Sequence, residues 1–151
     1  MRIALCSDHR GFEAKERIKA MLAGMGHEVA DFGCSSPASC DYPEMALPGA
    51  ESVARGEAEL GIMMCGTGIG MSITANKVKG IRAALCHDEL TAVLARKHNN
   101  ANVLCLPADL VGEELIKRVV HVWLDTQFEG GRHSRRLDKI TDFENSNGHP
   151  G

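Results

Sequence analysis

The sequence predicts an α/β fold, a parallel β-sheet covered on both faces by helices. Three observations carry this. Five short β-rich runs, Ile3–Ser7, Glu28–Phe32, Leu60–Met64, Ile81–Cys86 and Asn102–Leu106, alternate with longer amphipathic stretches. Such alternation implies parallel strands joined by right-handed helical crossovers. A glycine-rich turn, Gly66 to Gly70, follows the third run directly. It lies at the carboxyl end of a strand, where open α/β sheets bind their ligands. This is expected to gather Ser7, Asp8 and His9 at the end of the first run, Cys65 at the end of the third, and Cys86, His87 and Asp88 at the end of the fourth.

The elements follow in order. After the first run, Ile18, Met21, Leu22 and Met25 keep the i, i+3, i+4, i+7 spacing of one helix face. Gly33–Asp41 (GCSSPASCD) is turn chemistry, long enough for a mobile loop. Met45–Arg55 reads as a helix with Pro48 near its first turn. Glu89–His98 is a further helix. Leu110–Leu124, with Leu115, Val119 and Val122 or Trp123 on one side, has the clearest helical period. These elements form one domain over residues 1–144. Residues 145–151 have no apolar pattern and read as a frayed tail.

Composition narrows the function classes. A net charge of -3 argues against a nucleic-acid module, which is usually basic, but allows a small anionic ligand in a local pocket. No apolar run approaches the ~18 residues of a membrane span. The amino-terminal apolar run is too short for a signal peptide, so a cytoplasmic protein is expected. Of six cysteines, Cys6, Cys86 and Cys105 fall in strand-like runs and read as small buried hydrophobes. Free thiols in a reducing compartment are therefore expected, and the absence of a CxxC pair gives no support for structural zinc.

The stretch MMCGTGIGMS (Met63–Ser72) carries the chemistry. A Walker loop needs Lys-Ser or Lys-Thr after its last glycine, where Met71 and Ser72 stand. The dinucleotide fingerprint needs glycine three positions beyond Gly68, and Met71 is there. A cysteine phosphatase needs arginine at that same position. What remains is a nest of backbone N–H groups with a thiol at its edge. A thiolate beside such donors suits removal of a proton next to a carbonyl, the donors stabilising the enediolate oxygen. The motif alone fits equally well a buried small Cys65 with glycines that permit a tight turn.

Six segments, in order and spacing, resemble the ribose-5-phosphate isomerase B family, which also includes allose- and galactose-6-phosphate isomerases. They are Cys6–Lys15, Asp41–Pro43, Cys65–Lys77, Gly80–Cys86, His98–Leu104 and Phe128–Ile140. The resemblance implies a three-layer αβα sandwich with a Rossmann-like five-stranded parallel sheet. It also implies an aldose–ketose isomerase that opens a phosphorylated sugar ring and moves a proton between C1 and C2 through a cis-enediolate. No cofactor is implied.

By the resemblance, Cys65 is the base, and Thr67 hydrogen-bonds the thiol or a substrate hydroxyl. Backbone groups of Gly66, Gly68, Ile69 and Gly70 hold the enediolate oxygen. Asp8 meets the ring hydroxyls and His9 the phosphate, although Asp8 also suits a helix cap. His98 is the acid/base for ring opening, with Asn99 binding hydroxyls beside it; a histidine there also complements a helix dipole. Tyr42 lines the pocket. Arg132 and Arg136, four apart, share a helix face and suit a phosphate dianion; a solvated basic face is the plain alternative. Arg135 is left to the surface. Asp8, His9, His98 and His133 can be drawn as metal ligands, but no HExxH-like signature supports a metal.

Asp109, in PADLVG, stands where many family members carry a base, and Arg10 where many carry a small or apolar residue. An acid there weakens phosphate binding unless Arg10 compensates. The resemblance further implies homodimers or dimers of dimers, with His98 and Asn99 approaching the Cys65 loop of another copy and Leu110–Leu124 serving core and interface together. The GGRH and HN segments favour a five-carbon substrate over a six-carbon 6-phosphate. A non-catalytic sugar-phosphate sensor is the other class to weigh; the presence of Cys65 and Thr67 counts against it.

Overall fold

The computed structural model describes residues 1–147. Five strands form one parallel sheet: β1 (Arg2–Ser7), β2 (Glu28–Asp31), β3 (Leu60–Cys65), β4 (Ala83–Leu85) and β5 (Val103–Pro107), in the order β2-β1-β3-β5-β4. Six helices accompany them: α1 (Phe12–Gly24), α2 (Tyr42–Ala54), α3 (Ile69–Ala75), α4 (Glu89–Asn99), α5 (Glu113–Asp125) and α6 (Arg132–Ser146). The expected αβα sandwich is what the chain forms.

Strand periodicity sorts the core into two layers. Ile3, Leu5, Ile62, Met64, Leu104 and Leu106 face α1, α4 and α5. Ala4, Cys6, Met63, Cys65, Val103 and Cys105 face α2 and α3. Crossovers that step toward β2 or back from β4 use the first face, and those that step toward β4 use the second, so every crossover has one hand. The chain reverses direction between β1 and β3. That switch point opens a crevice beyond their carboxyl ends, and Asp8 and Cys65 flank it.

Several boundaries differ from the sequence reading. Helix α2 begins at Tyr42, with Pro43 in its first turn, so Pro48 lies inside the helix. Strand β4 is shorter than Ile81–Cys86 because side chains satisfy its surroundings. Asn102 Oδ1 accepts from the Arg82 N–H, and the Asn76 amide both accepts from Ala83 N–H (2.8 Å) and donates to Ala83 C=O (3.0 Å). Helix α6 passes through Asn145 and Ser146, beyond the expected limit at Glu144; the expected tail past Asn147 lies outside the described residues.

Helix α5 is built into the core, as expected: Ile116, Val119, Val120 and Trp123 are buried in their own chain. Exposed apolar side chains include Leu110 just ahead of it, Ile69 and Ile73 of α3, Leu90 of α4, and Ile140 and Phe143 (65%) of α6. No helix among the described residues is long and apolar enough to cross a membrane. All six cysteines are free, and burial pushes the Cys86 thiol up to about 11.

One buried charge pins α1 to β2. Lys15 is 1% exposed, and its Nζ donates to both Asp31 oxygens (2.9 and 2.7 Å) and to Glu16 (2.9 Å). Burial pushes the Asp31 carboxyl up, but hydrogen bonds from Lys15 and Lys19 outweigh it and hold the group below its ordinary 3.8. The folded pKa is thus depressed, so its stabilisation is complete above the unfolded value and fades as pH falls through the folded one. Asp31→Asn should cost about 3 kcal/mol at neutral pH, because Lys15 loses its main buried partner. Melting temperatures of both proteins between pH 7 and 3 check this: the gap should narrow as acid is added, and a constant gap would exclude the ionised pair as its source.

Candidate active site

Strand β3 is buried throughout and delivers Cys65, 4% exposed, to the crevice. Beyond it the chain must turn at once into α3. Gly68 makes that turn with φ +74°, and a Cβ there would lie 2.5 Å from Leu85 Cδ1 and 3.0 Å from the Leu106 carbonyl carbon. Only glycine fits both demands. The turn aims the Gly68 N–H at Cys65 Sγ, 3.1 Å away, a donor placed to hold negative charge on sulfur. Thr67 Oγ1 accepts from the Ile69 N–H at 3.2 Å, which leaves its own proton to donate. Two of the N–H groups expected to hold an enediolate oxygen therefore already have partners within the loop.

The loop is braced on every side. Ala108 and Asp109 N–H groups, just past β5, donate to the Cys65 and Gly66 carbonyls at 2.9 and 3.0 Å. The Tyr42 ring lies over Gly70, where an added Cβ would come within 2.7 Å of it. Asp109 and Arg10 form an ion pair over Gly66, where a Cβ would come within 2.6 Å of Asp109 Oδ2. Asp8 is 6% exposed, and its Oδ1 accepts from the Arg10 and Gly11 N–H groups at 2.9 and 3.1 Å. Helix α1 is entered through Gly11 with no side-chain cap, so Asp8 does not cap it; its carboxylate closes the turn ahead of the helix, at the edge of the crevice.

These residues enclose a cavity of about 450 Å³ lined by Asp8, Arg10, Tyr42, Cys65, Gly66, Thr67, Gly70, Asp109 and Leu110. Such a volume suits a small metabolite. Its one cation, Arg10, is already paired.

The remaining expected residues lie elsewhere. His9 Nδ1 sits 3.2 Å from the Cys40 carbonyl oxygen and 3.3 Å from its amide nitrogen, outside the lining of that cavity. His98 and Asn99 end α4, while Arg132 and Arg136 are exposed at the start of α6. The end of β4, expected at the same crevice, lies at the sheet edge, and Asp88 caps α4 by accepting from Thr91 N–H at 2.7 Å.

The second group is joined by a contact that sequence reasoning missed. The His98 and His133 rings stack with centroids 4.3 Å apart, and Glu129 lies 3.5 Å from His133 Nε2. Burial, then the charges of His98 and Arg132, hold the His133 imidazole below its ordinary range. No local spacing signals a pairing across thirty-odd residues. Among the described residues, His98, Glu129 and His133 also form a donor set suited to a metal ion.

Comparison with known proteins gives this architecture its class. The family described as Ribose/Galactose Isomerase matches residues 3–140. The chain is 48% identical to ribose-5-phosphate isomerase B of Escherichia coli, covering 95% of this chain and 96% of that one. It is 41% identical to D-erythrulose-4-phosphate isomerase of Pectobacterium atrosepticum, covering 97% of each. The structure of ribose-5-phosphate isomerase B from Mycoplasma genitalium with bound ribulose-5-phosphate superposes with a TM-score of 0.91 at 44% identity, covering 95% of this chain and 96% of that one. The chain is a sugar-phosphate isomerase by fold and by kinship. The chain belongs to the ribose/galactose isomerase family.

Proposed function

We propose that this chain interconverts ribose 5-phosphate and ribulose 5-phosphate, with Cys65 as the base. The observation that carries the reading is a thiol at the strand end, open to a metabolite-sized cavity, with a backbone N–H donating to its sulfur. After ring opening, the Cys65 thiolate removes the C2 proton. Electrons move onto the C1 oxygen, giving a cis-enediolate, and the thiol returns the proton to C1. The hydroxyl proton passes from O2 to O1, so the balance closes without a cofactor. Gly68 N–H offsets charge on sulfur, and the Thr67 hydroxyl is free to donate to substrate oxygen.

The cavity's own lining supplies acids and one paired cation, which suits a sugar but not its phosphate. We therefore infer that a second copy completes each site, in a homodimer or dimer of dimers. His98 would open the ring there, Asn99 would bind sugar hydroxyls beside it, and Arg132 and Arg136 would hold the phosphate, with His9 beside it. The exposed apolar side chains of α3, α4 and α6 fit such a contact. Six free thiols fit a cytoplasmic setting.

The family's galactose members and the erythrulose-phosphate relative favour weighing six- and four-carbon substrates as the alternative. One panel of ribose, allose, galactose and erythrulose phosphates, run in heavy water, tests all readings. Ribose 5-phosphate should turn over fastest and gain deuterium at C2. Faster turnover of another sugar reassigns the substrate, and binding without exchange leaves a sensor.

Asp109 should moderate phosphate affinity by holding Arg10. Asp109→Ala frees that guanidinium, and the Michaelis constant should fall roughly fivefold, about 1 kcal/mol for an exposed pair. An unchanged constant would remove Arg10 and Asp109 from substrate recognition.

A further inference from the structure

We propose that His98, Glu129 and His133 form a transition-metal site, and that zinc or a similar ion bound there reversibly inhibits the enzyme. The backbone brings the three together. Gly130 and Gly131 take φ of +69° and +58°, turning the chain between Glu129 and α6. The Glu129 N–H donates to the Lys97 carbonyl at 3.1 Å, fastening this turn to the end of α4 beside His98.

The spacing of Glu129 and His133 is close to what zinc needs. Four ligands at ~2.1 Å in a tetrahedron stand about 3.4 Å apart. Glu129 Oε2 and His133 Nε2 are 3.5 Å apart, and one donor atom from each of the three residues lies within 4.8 Å of the others. The stacked rings differ by 12°, so their in-plane lone pairs run nearly parallel. The half-buried His98 ring must turn out of the stack to bind, while the buried His133 stays. Two imidazoles and one carboxylate select zinc, cobalt, nickel or copper over magnesium or calcium. Water completes the tetrahedron. Lys97 Nζ, 3.7 Å from Glu129, and Arg132 oppose the cation and weaken its binding.

A metal on His98 occupies the lone pair that ring opening uses, so bound ion and turnover exclude each other. Binding stands independently of the isomerase reading; inhibition rests on it. Cobalt titration of the full chain, followed by its visible absorption, tests the site directly. The intense band of a four-coordinate ion should appear, persist in Cys65→Ser and be displaced by zinc. Glu129→Ala, an exposed change, should weaken binding at least tenfold. Zinc should inhibit isomerisation over the same range and be reversed by a chelator. A thiolate-to-cobalt band that vanishes in Cys65→Ser would move the metal to Cys65 and overturn the site. So would undiminished binding to Glu129→Ala, or no binding at all. Binding without inhibition would keep the site and overturn the ring-opening role of His98.

Discussion

Cys65→Ala should lower kcat by about 10³-fold, within the span attributed to a positioned base, while sparing affinity for ribulose 5-phosphate. The sulfur is nearly enclosed, meets one backbone donor and borders the cavity that Asp8, Thr67 and Tyr42 share. Alanine removes the proton carrier and leaves the loop, because every brace on Gly66 and Gly70 comes from other residues. Turnover, C2 deuterium exchange and calorimetric binding together read the result. Exchange should vanish with turnover. Activity above a tenth of the parent would assign the base elsewhere. Joint loss of binding and turnover would make the thiol structural.

Gly68→Ala should damage both stability and rate. The added methyl meets the end of Leu85, which can move, and the backbone of Leu106, which cannot. A side chain at φ +74° adds strain of its own. Together these should cost about 3 kcal/mol, a fall in Tm of roughly 10 °C for a chain of this size. Relief of the clash rotates the peptide that points at Cys65, so kcat should fall more than the Michaelis constant rises. A variant as stable and active as the parent would deny the glycine both roles.

Much of the sheet was legible because its signals are local. Buried strands such as β3 are unbroken apolar runs, and the apolar face of α1 repeats at helical spacing. The thiol and glycine turn were legible for the same reason, since both lie within ten residues of chain. Strand order was not. Whether β4 or β5 adjoins β3 depends on packing between distant segments, so the sequence put the end of β4 at the crevice, while the residues after β5 occupy that place. Helix α5 looked two-sided, but only contact with the sheet reveals that Trp123 is wholly enclosed. Pro48 marked a start because proline disfavours helix interiors, yet Pro43 already supplies the first turn and burial of Ala46 and Ala50 carries the helix onward. The stack of His98 on His133 had no local trace.

The Asn76 carboxamide behaves toward β4 like a single peptide unit borrowed from a neighbouring strand. It fills both backbone valences of Ala83 on the open rim of a three-residue strand, and too little remains to seed a ladder. Sheet extension from one molecule into the next is thereby discouraged at this rim. What this side of the molecule offers to a neighbour is helical instead, with Ile140 and Phe143 of α6 uncovered.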